Sequence, residues 1–220
     1  MKTQADFAKL ADRNLGETAV LISNGPSLAD LSDADLARVC RGRVVIAVKQ
    51  AIVRYPEAEY HLLNHIRLAR YDYVTARPTV MYCGNTMLTP PACDYAMSVL
   101  DCGSADKSLV VGRDWDRCLF GRQYGRQFGP GIVLELAVPL ALHLGVSRLI
   151  TIGWDASTAP HAVAPDATKP SQWEHDATVA ASGDYYHWLL TRGLSLQLLS
   201  RRSKLSAVVP RVTLQEVYCD

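Results

Sequence analysis

Apolar and polar positions alternate along the chain in short blocks that end at turn-forming residues. Short continuous apolar runs of this kind are typical of strands that are buried on both faces. The runs predict strands at 18–23, 43–48, 59–63, 148–152 and 195–199, with weaker candidates at 79–83 and 108–111. Buried strands that alternate with helices predict an α/β fold, a Rossmann-like and mostly parallel sheet with helices on both faces.

Apolar residues at helical spacing predict helices at 31–40, 131–145 and 172–192. Ser32 is expected to cap the first helix, with Asp35 three residues later in its first turn. Pro139 lacks an amide hydrogen, so it should kink or divide the central helix. The segment 156–170 is rich in Ala, Pro, Ser and Thr and is predicted to form a flexible loop or lid. The chain is therefore expected to form a single domain, 1–220.

Composition narrows the class of protein. Apolar residues make up 49% of the chain and charged residues 20%, which excludes a disordered chain. A net charge of +1 argues against nucleic acid as a partner but leaves room for a local anion site. The six cysteines contain no C-x-x-C pair and are expected to be reduced thiols of a cytoplasmic protein. The first residues lack the apolar stretch of a signal peptide, and the longest apolar segment, 132–144, is too short to span a bilayer.

Polar residues follow the first three predicted strands. Parallel sheets bind ligands beyond the carboxyl ends of their strands, so these positions are candidates for a site. The amide and cationic side chains among them can bind a base, a ribose or a phosphate, although a tight turn explains the first group equally well. No G-x-G-x-x-G fingerprint and no Walker phosphate loop occurs. The residues concerned are Asn24, Gly25, Pro26 and Ser27, then Lys49 and Gln50, then Asn64.

Charged residues mark two further places. The stretch 121–129 reads G-R-Q-Y-G-R-Q-F-G and leads to Gly131 at the predicted start of the central helix. Its arginines, Arg122 and Arg126, suit a phosphate or carboxylate, unless they are solvated side chains of a surface loop. Asp155 follows the strand at 148–152, where it can orient a ligand hydroxyl or cap a loop.

His175 is the candidate catalytic residue. Ser171 and Glu174 fit a capping box, which places His175 in the first turn of a helix. The positive end of the helix favours a neutral imidazole that can accept a proton, whereas adjacent Glu174 and Asp176 act in the opposite direction. An ordinary surface histidine is the alternative. No histidine lies at metal-ligand spacing and no H-E-x-x-H occurs, so no metal is expected.

The order of these motifs resembles a known family. N-G-P-S-L follows the first strand, a polar pair follows the second, and Asn64 follows the third. A G-x-D block at 153–155 and His175 at the head of a long helix come later. The arrangement is similar to that of bacterial sialyltransferases that use CMP-sialic acid, a group related to motility accessory factors and archaeal pterin pyrophosphokinases. The resemblance covers about two thirds of the chain, with gaps.

The resemblance implies a single nucleotide-sugar-binding domain. Such an enzyme transfers an acidic sugar, sialic acid or a related 2-keto sugar, from a CMP-sugar donor to a saccharide or glycolipid hydroxyl. Transfer inverts the anomeric centre and needs no metal and no tightly bound cofactor. Asn24 and Ser27 would lie against the phosphate and ribose, Asn64 would hold the CMP moiety, and Gly131 would approach the cytidine. His175 would be the general base.

The chain also departs from the family. Lys49 stands where an asparagine is usual, and Pro130 stands where a serine is common. Ser157 and Thr158 replace the tyrosines that steady the leaving phosphate in the family. Arg122 or Arg126 is the expected substitute, since a leaving phosphate needs positive charge.

These departures keep two other functions open. One is a pterin-type pyrophosphokinase that uses ATP, which the shared opening motif permits. The other is a nucleotide-binding domain that has lost catalysis, consistent with the missing tyrosines. The expected partners are a nucleotide sugar and a saccharide acceptor. Arg201, Arg202 and Lys204 leave room for peripheral contact with the inner face of a membrane, and a homo-oligomer is also open.

Overall fold

A computed structural model describes most of the chain. The predicted strand at 108–111 and three candidate site residues, Asn64, Arg122 and Gly131, lie outside the described residues. The described ranges are 4–63, 78–84, 93–99, 115–118, 126–127, 132–160, 162–163 and 172–219.

The described residues form one eight-stranded sheet in which every neighbouring pair of strands is parallel. Across the sheet the order is β6-β5-β4-β3-β2-β1-β7-β8. The arrangement confirms the predicted α/β, Rossmann-like fold. The strands are β1 (Thr18–Ile22), β2 (Val44–Val48), β3 (Tyr60–Leu63), β4 (Thr79–Gly84), β5 (Tyr95–Val99), β6 (Arg126–Gln127), β7 (Arg148–Ile152) and β8 (Ser195–Leu198).

The three predicted helices are present, and their ends lie within a few residues of the predicted ones. Ser32 Oγ accepts a hydrogen bond from the backbone N–H of Asp35, which confirms the predicted cap. The segment Val133–Ala137 is a π-helix that changes to an α-helix at Val138, one residue before Pro139, so the central helix is divided as predicted. The α-helices are α1 (Gln4–Ala8), α2 (Asp33–Cys40), α3 (Val138–His143), α4 (Gln172–Thr191) and α5 (Leu214–Tyr218). None of these described helices combines the length and the apolar character that crossing a bilayer requires.

Both faces of the sheet are covered. Successive side chains of a strand point to opposite faces, so Leu21 of β1 packs on one face and Ile22 on the other. Helix α4 covers the first face through Tyr185 and Leu189. Helix α2 covers the second face through Leu36. Burial of apolar side chains on both faces is the reason that the strands read as continuous apolar runs.

The strand order reverses between β1 and β7. From β1 the chain builds the sheet outward through β2 to β6, and it then returns to place β7 and β8 on the other side of β1. In open parallel sheets the loops on either side of such a reversal separate and leave a crevice beyond the carboxyl ends of the strands. The residues that follow β1, β2, β7 and β8 therefore define the place to look for a ligand.

Candidate functional site

The turn after β1 is hydrogen-bonded to the loop after β7. Oδ2 of Asp155 accepts from the backbone N–H of Ser27 at 2.7 Å, and Oδ1 accepts from the Ser27 hydroxyl at 2.6 Å. The Ser200 hydroxyl, after β8, donates to Oδ1 of Asp155 at 2.7 Å. Asp155 is 2% exposed. The carboxylate therefore joins three loops at the point where the strand order reverses.

Two glycines allow these loops to approach closely. Gly25 donates its backbone N–H to the carbonyl oxygen of Gly153 at 2.8 Å. A Cβ atom on Gly25 would overlap that oxygen and lie 2.6 Å from Oδ2 of Asp155. Gly153 has a φ of +73°, and a Cβ there would overlap the carbonyl oxygen of Ser23. Glycine at both positions is required by the contact between the loops.

Asn24 binds the segment that follows β7. Its Nδ2 donates to the carbonyl oxygen of Val163 at 2.8 Å, and its Oδ1 accepts from the Val163 N–H at 2.9 Å. The backbone of Ala162 also donates to the carbonyl oxygen of Asn24 at 3.1 Å. Asn24 is buried, and these three hydrogen bonds fix residues 162–163, in the middle of the predicted lid, against the turn after β1.

The segment after β8 crosses the same region and reaches helix α4. The Ser203 hydroxyl donates to the carbonyl oxygen of Trp154 at 2.9 Å, and the Lys204 N–H donates to that of Asp155 at 2.9 Å. The Ser206 N–H then donates to the hydroxyl of Ser182 in α4 at 2.8 Å. No motif in the sequence marks Ser182, Ser203 or Ser206, and Lys204 is predicted there only as a contact to a membrane surface.

One arginine holds that segment in place. The guanidinium of Arg211 donates to four backbone carbonyl oxygens, which is possible because its five N–H groups point in fixed directions. No motif marks Arg211 in the sequence, and only the folded chain reveals its role. The carbonyls belong to Ser203, Leu205, Ser206 and Val209.

Lys49 and Gln50 follow β2, beside the turn after β1. Lys49 has a φ of +52°, a left-handed conformation that is unfavourable for any residue with a Cβ. His61 of β3 is fully buried and lies with Nε2 2.8 Å from the Lys49 carbonyl oxygen. Because a carbonyl only accepts, Nε2 carries the proton and donates it. Burial lowers the pKa of His61 to about 4, although the bond to Lys49 acts in the other direction.

Gln50 presents an unused acceptor. Its Oε1 is buried, and no hydrogen-bond donor within reach of it is described. A buried polar atom without a partner costs free energy, so such atoms are uncommon in folded proteins unless something else binds them. Oε1 of Gln50 can therefore accept a hydrogen bond from a hydroxyl or amino group of a ligand.

His175 lies in the first turn of α4, which begins at the carboxyl ends of the strands. Strands β7 and β8 are parallel neighbours, so the helix that connects them runs in the opposite direction and begins at their carboxyl ends. Ser182 of α4 is level with the segment after β8, and His175 precedes it by seven residues, or about 10 Å along the helix axis. The first half of α4 therefore extends beyond the sheet. His175 is partly buried. The described hydrogen bonds to Asp155 come from Ser27 and Ser200 and not from His175.

Arg126 lies elsewhere. It begins β6, the outermost strand on one side of the sheet. Five strand positions separate β6 from β1, which is about 24 Å at the usual spacing of strands. The suggestion that Arg126 supplies positive charge to a leaving phosphate stays a prediction, and the strand order places its backbone far from the end of β1. The repeated G-R-Q sequence gave no sign that its second half would pair with β5.

Among the described residues no cluster of His, Cys, Asp and Glu has the composition and proximity of a metal site. Comparison of the chain with protein-family models, with curated proteins and with solved structures gave no match.

Proposed function

We propose that this protein transfers an acidic sugar from a CMP-sugar donor to a hydroxyl group of a saccharide or glycolipid. One observation carries the proposal. The two sequence blocks that resemble the sialyltransferases, N-G-P-S-L and G-x-D, are 128 residues apart at Ser27 and Asp155 and are hydrogen-bonded at the reversal of strand order. Parallel sheets of this type bind nucleotides at that place.

In this proposal the donor is bound at the end of β2. Lys49 supplies positive charge for the phosphate of CMP or for the carboxylate of the sugar. Gln50 Oε1, which is buried and unpartnered among the described atoms, accepts a hydrogen bond from an amino or hydroxyl group of the donor. The backbone of Lys49 is fixed by His61, so little conformational freedom is lost when the ligand binds.

His175 is the proposed general base. It removes the proton of the acceptor hydroxyl while that oxygen forms a bond to the anomeric carbon of the donor sugar. The bond between the anomeric carbon and the phosphate oxygen breaks at the same time, and CMP leaves with the electron pair. Attack opposite the leaving group inverts the anomeric centre. Positive charge near the phosphate stabilises the negative charge that develops there.

Ligand-dependent melting tests the proposal. The melting temperature is measured with CMP, CDP, UDP, and ATP with Mg²⁺, since a ligand that binds only the folded state raises it. Stabilisation by CMP and not by UDP supports the proposal. Stabilisation by ATP with Mg²⁺ alone supports a pyrophosphokinase, and the absence of any response contradicts nucleotide binding.

A further inference from the structure

The turn after the first strand of a Rossmann-like sheet is the usual place for a ligand phosphate. Free backbone N–H groups at the start of the following helix bind the anion there. In this protein the Ser27 N–H donates to Asp155, and the Ser27 hydroxyl does the same. Two donors of the turn that could bind a phosphate are therefore already bound to a carboxylate of the chain.

The surroundings of Asp155 are those of a bound anion. The side chain is almost fully buried, and burial of an ionised carboxylate is costly unless hydrogen bonds replace its water. Three donors from Ser27 and Ser200 do so, at 2.6 to 2.7 Å. Within the described part of the chain Asp155 forms no ion pair, so hydrogen-bond donors alone accommodate the charge. Short bonds from several donors to one carboxylate are the strong kind.

The fit around the carboxylate is close. A Cβ atom added at Gly25 would lie 2.6 Å from Oδ2, so the backbone of the turn packs directly against the carboxylate. A ligand phosphate at Ser27 would have to displace the carboxylate from all three donors.

We propose that Asp155 is an internal anion that permanently fills the anion site of the turn after β1. Asp155 is then a positioning residue, which holds the loops after β1 and β8 in place, and the turn is closed to a ligand phosphate. The inference concerns a stability and anion-binding property of the chain, so it does not depend on the identity of the donor.

Removal of the carboxylate tests the inference. Asp155→Ala leaves three donors around a hole, and alanine with formate together contains the heavy atoms of aspartate. The melting temperature of Asp155→Ala should be lower than that of the wild type and should rise with formate. A rise of about 2–6 °C is expected when formate exceeds its dissociation constant tenfold. Formate should leave the wild-type melting temperature unchanged, because its site is filled.

Four controls make the result specific. Formamide has nearly the shape of formate but no charge, and sodium chloride at the same concentration matches the ionic strength. A response to formate alone therefore identifies a bound carboxylate as the cause. Asp176→Ala removes an exposed carboxylate of α4 and should show no response to formate. Asp155→Asn keeps the shape but turns an N–H group toward Ser27, so its melting temperature should fall and stay insensitive to formate.

The outcome decides the inference in either direction. If Asp155→Ala is insoluble, the soluble yield is compared after refolding with formate, with formamide and with neither, and only formate should raise it. An equal effect of formate and formamide, or stabilisation of the wild type by formate, would overturn the proposal. Because this test needs no nucleotide, a failure of CMP to bind leaves its result intact.

Discussion

His61 donates a hydrogen bond from Nε2 to the carbonyl oxygen of Lys49 at 2.8 Å, and so joins the middle of β3 to the end of β2. The imidazole is fully buried, and the residue that it holds has the left-handed φ of +52°. The bond fixes an unfavourable backbone conformation at the point where a cationic side chain leaves the sheet. Strained backbone of this kind is frequent at functional sites.

Stability should fall in mild acid because of His61. Its pKa is about 4 in the folded state and 6.5 as the ordinary value, so between these pH values the unfolded chain binds more protons. Titration of His61 therefore leaves the free energy of unfolding unchanged above pH 6.5. As the pH drops from 6.5 toward 4, the titration lowers that free energy by about 3 kcal/mol. Burial also lowers the pKa of His143, which acts in the same direction.

Urea unfolding from pH 4.5 to 7.5 measures this dependence. His61→Gln keeps a donor for the Lys49 carbonyl and removes the titration, so its stability should depend less on pH. His187→Gln, at an exposed position of α4, serves as the control. A slope that is the same in His61→Gln and the wild type would show that His61 does not cause it.

Lys49→Gly should not lower stability, unlike most glycine substitutions. Glycine adopts a positive φ without a steric penalty, which recovers about 1 kcal/mol or more and offsets the larger entropy of the unfolded chain. Lys204, which is exposed and lies outside the set of positive-φ residues, offers the matched control. Lys204→Gly should lower the free energy of unfolding by about 0.5–1 kcal/mol. Equal losses in both variants, measured by urea unfolding, would argue against strain at Lys49.

Lys49→Asn should weaken the binding of CMP. Asparagine tolerates the left-handed conformation, so the backbone is kept while the charge is lost. If the charge binds the phosphate, the affinity for CMP should fall about 10- to 100-fold and that for cytidine should not change. If it binds the sugar carboxylate, the loss should appear only with the CMP-sugar. Titration calorimetry with the three ligands distinguishes these cases, and unchanged affinity for all of them removes Lys49 from the site.

His175→Ala should retain the binding of CMP and lose transfer. Removal of a general base slows proton abstraction without removing a contact to the nucleotide, so turnover should fall about 10²–10⁴-fold. The same substitution at exposed His187, on the same helix, should leave turnover unchanged. Transfer is followed as release of CMP in the presence of an acceptor, and normal turnover of His175→Ala would exclude this role.

Gly25→Ala should destabilise the protein for steric reasons alone. Gly25 has an ordinary φ of −70°, but its added methyl group would overlap the Gly153 carbonyl. A loss of about 1–3 kcal/mol is expected from such overpacking. At Gly193 the φ is +79° and no atom lies within 4 Å of the added Cβ. Gly193→Ala therefore measures the cost of an unfavourable backbone conformation in the absence of a steric overlap. Chemical unfolding should show a loss of about 1 kcal/mol for Gly193→Ala. A smaller loss at Gly25 than at Gly193 would contradict the close contact.

Local patterns predicted most of the fold. Continuous apolar runs identified β1, β2, β3 and β7, because strands buried on both faces consist mostly of apolar residues. The same reasoning missed β5, in which Ser98 interrupts the apolar run, and β6, which has only two residues. Short edge strands are formed by pairing with a neighbour, and a single stretch of sequence does not contain that information.

The site was predictable only in part. The sequence predicts Asn24, Ser27 and Asp155 at the carboxyl ends of the strands, where the structure places them, and it predicts a ligand as their partner. In the structure their described hydrogen bonds go to other parts of the chain, because polar groups that become buried must find partners. Which partner each group finds depends on loops far apart in sequence. Ser200 and Arg211 belong to the same network, and no local signal marks their contacts.

The segment held by Arg211 has a consequence for synthesis of the chain. Asp155 needs Ser27 from an early loop and Ser200 from a late one, and the late loop is organised only when Arg211 reaches its four carbonyl oxygens. During translation the β1 turn therefore emerges from the ribosome long before the residues that complete its surroundings. Contacts between distant segments form slowly, since the intervening chain must first be ordered. A nascent chain that stops before residue 211 therefore lacks the contacts that complete the crevice, even though its last strand is already present.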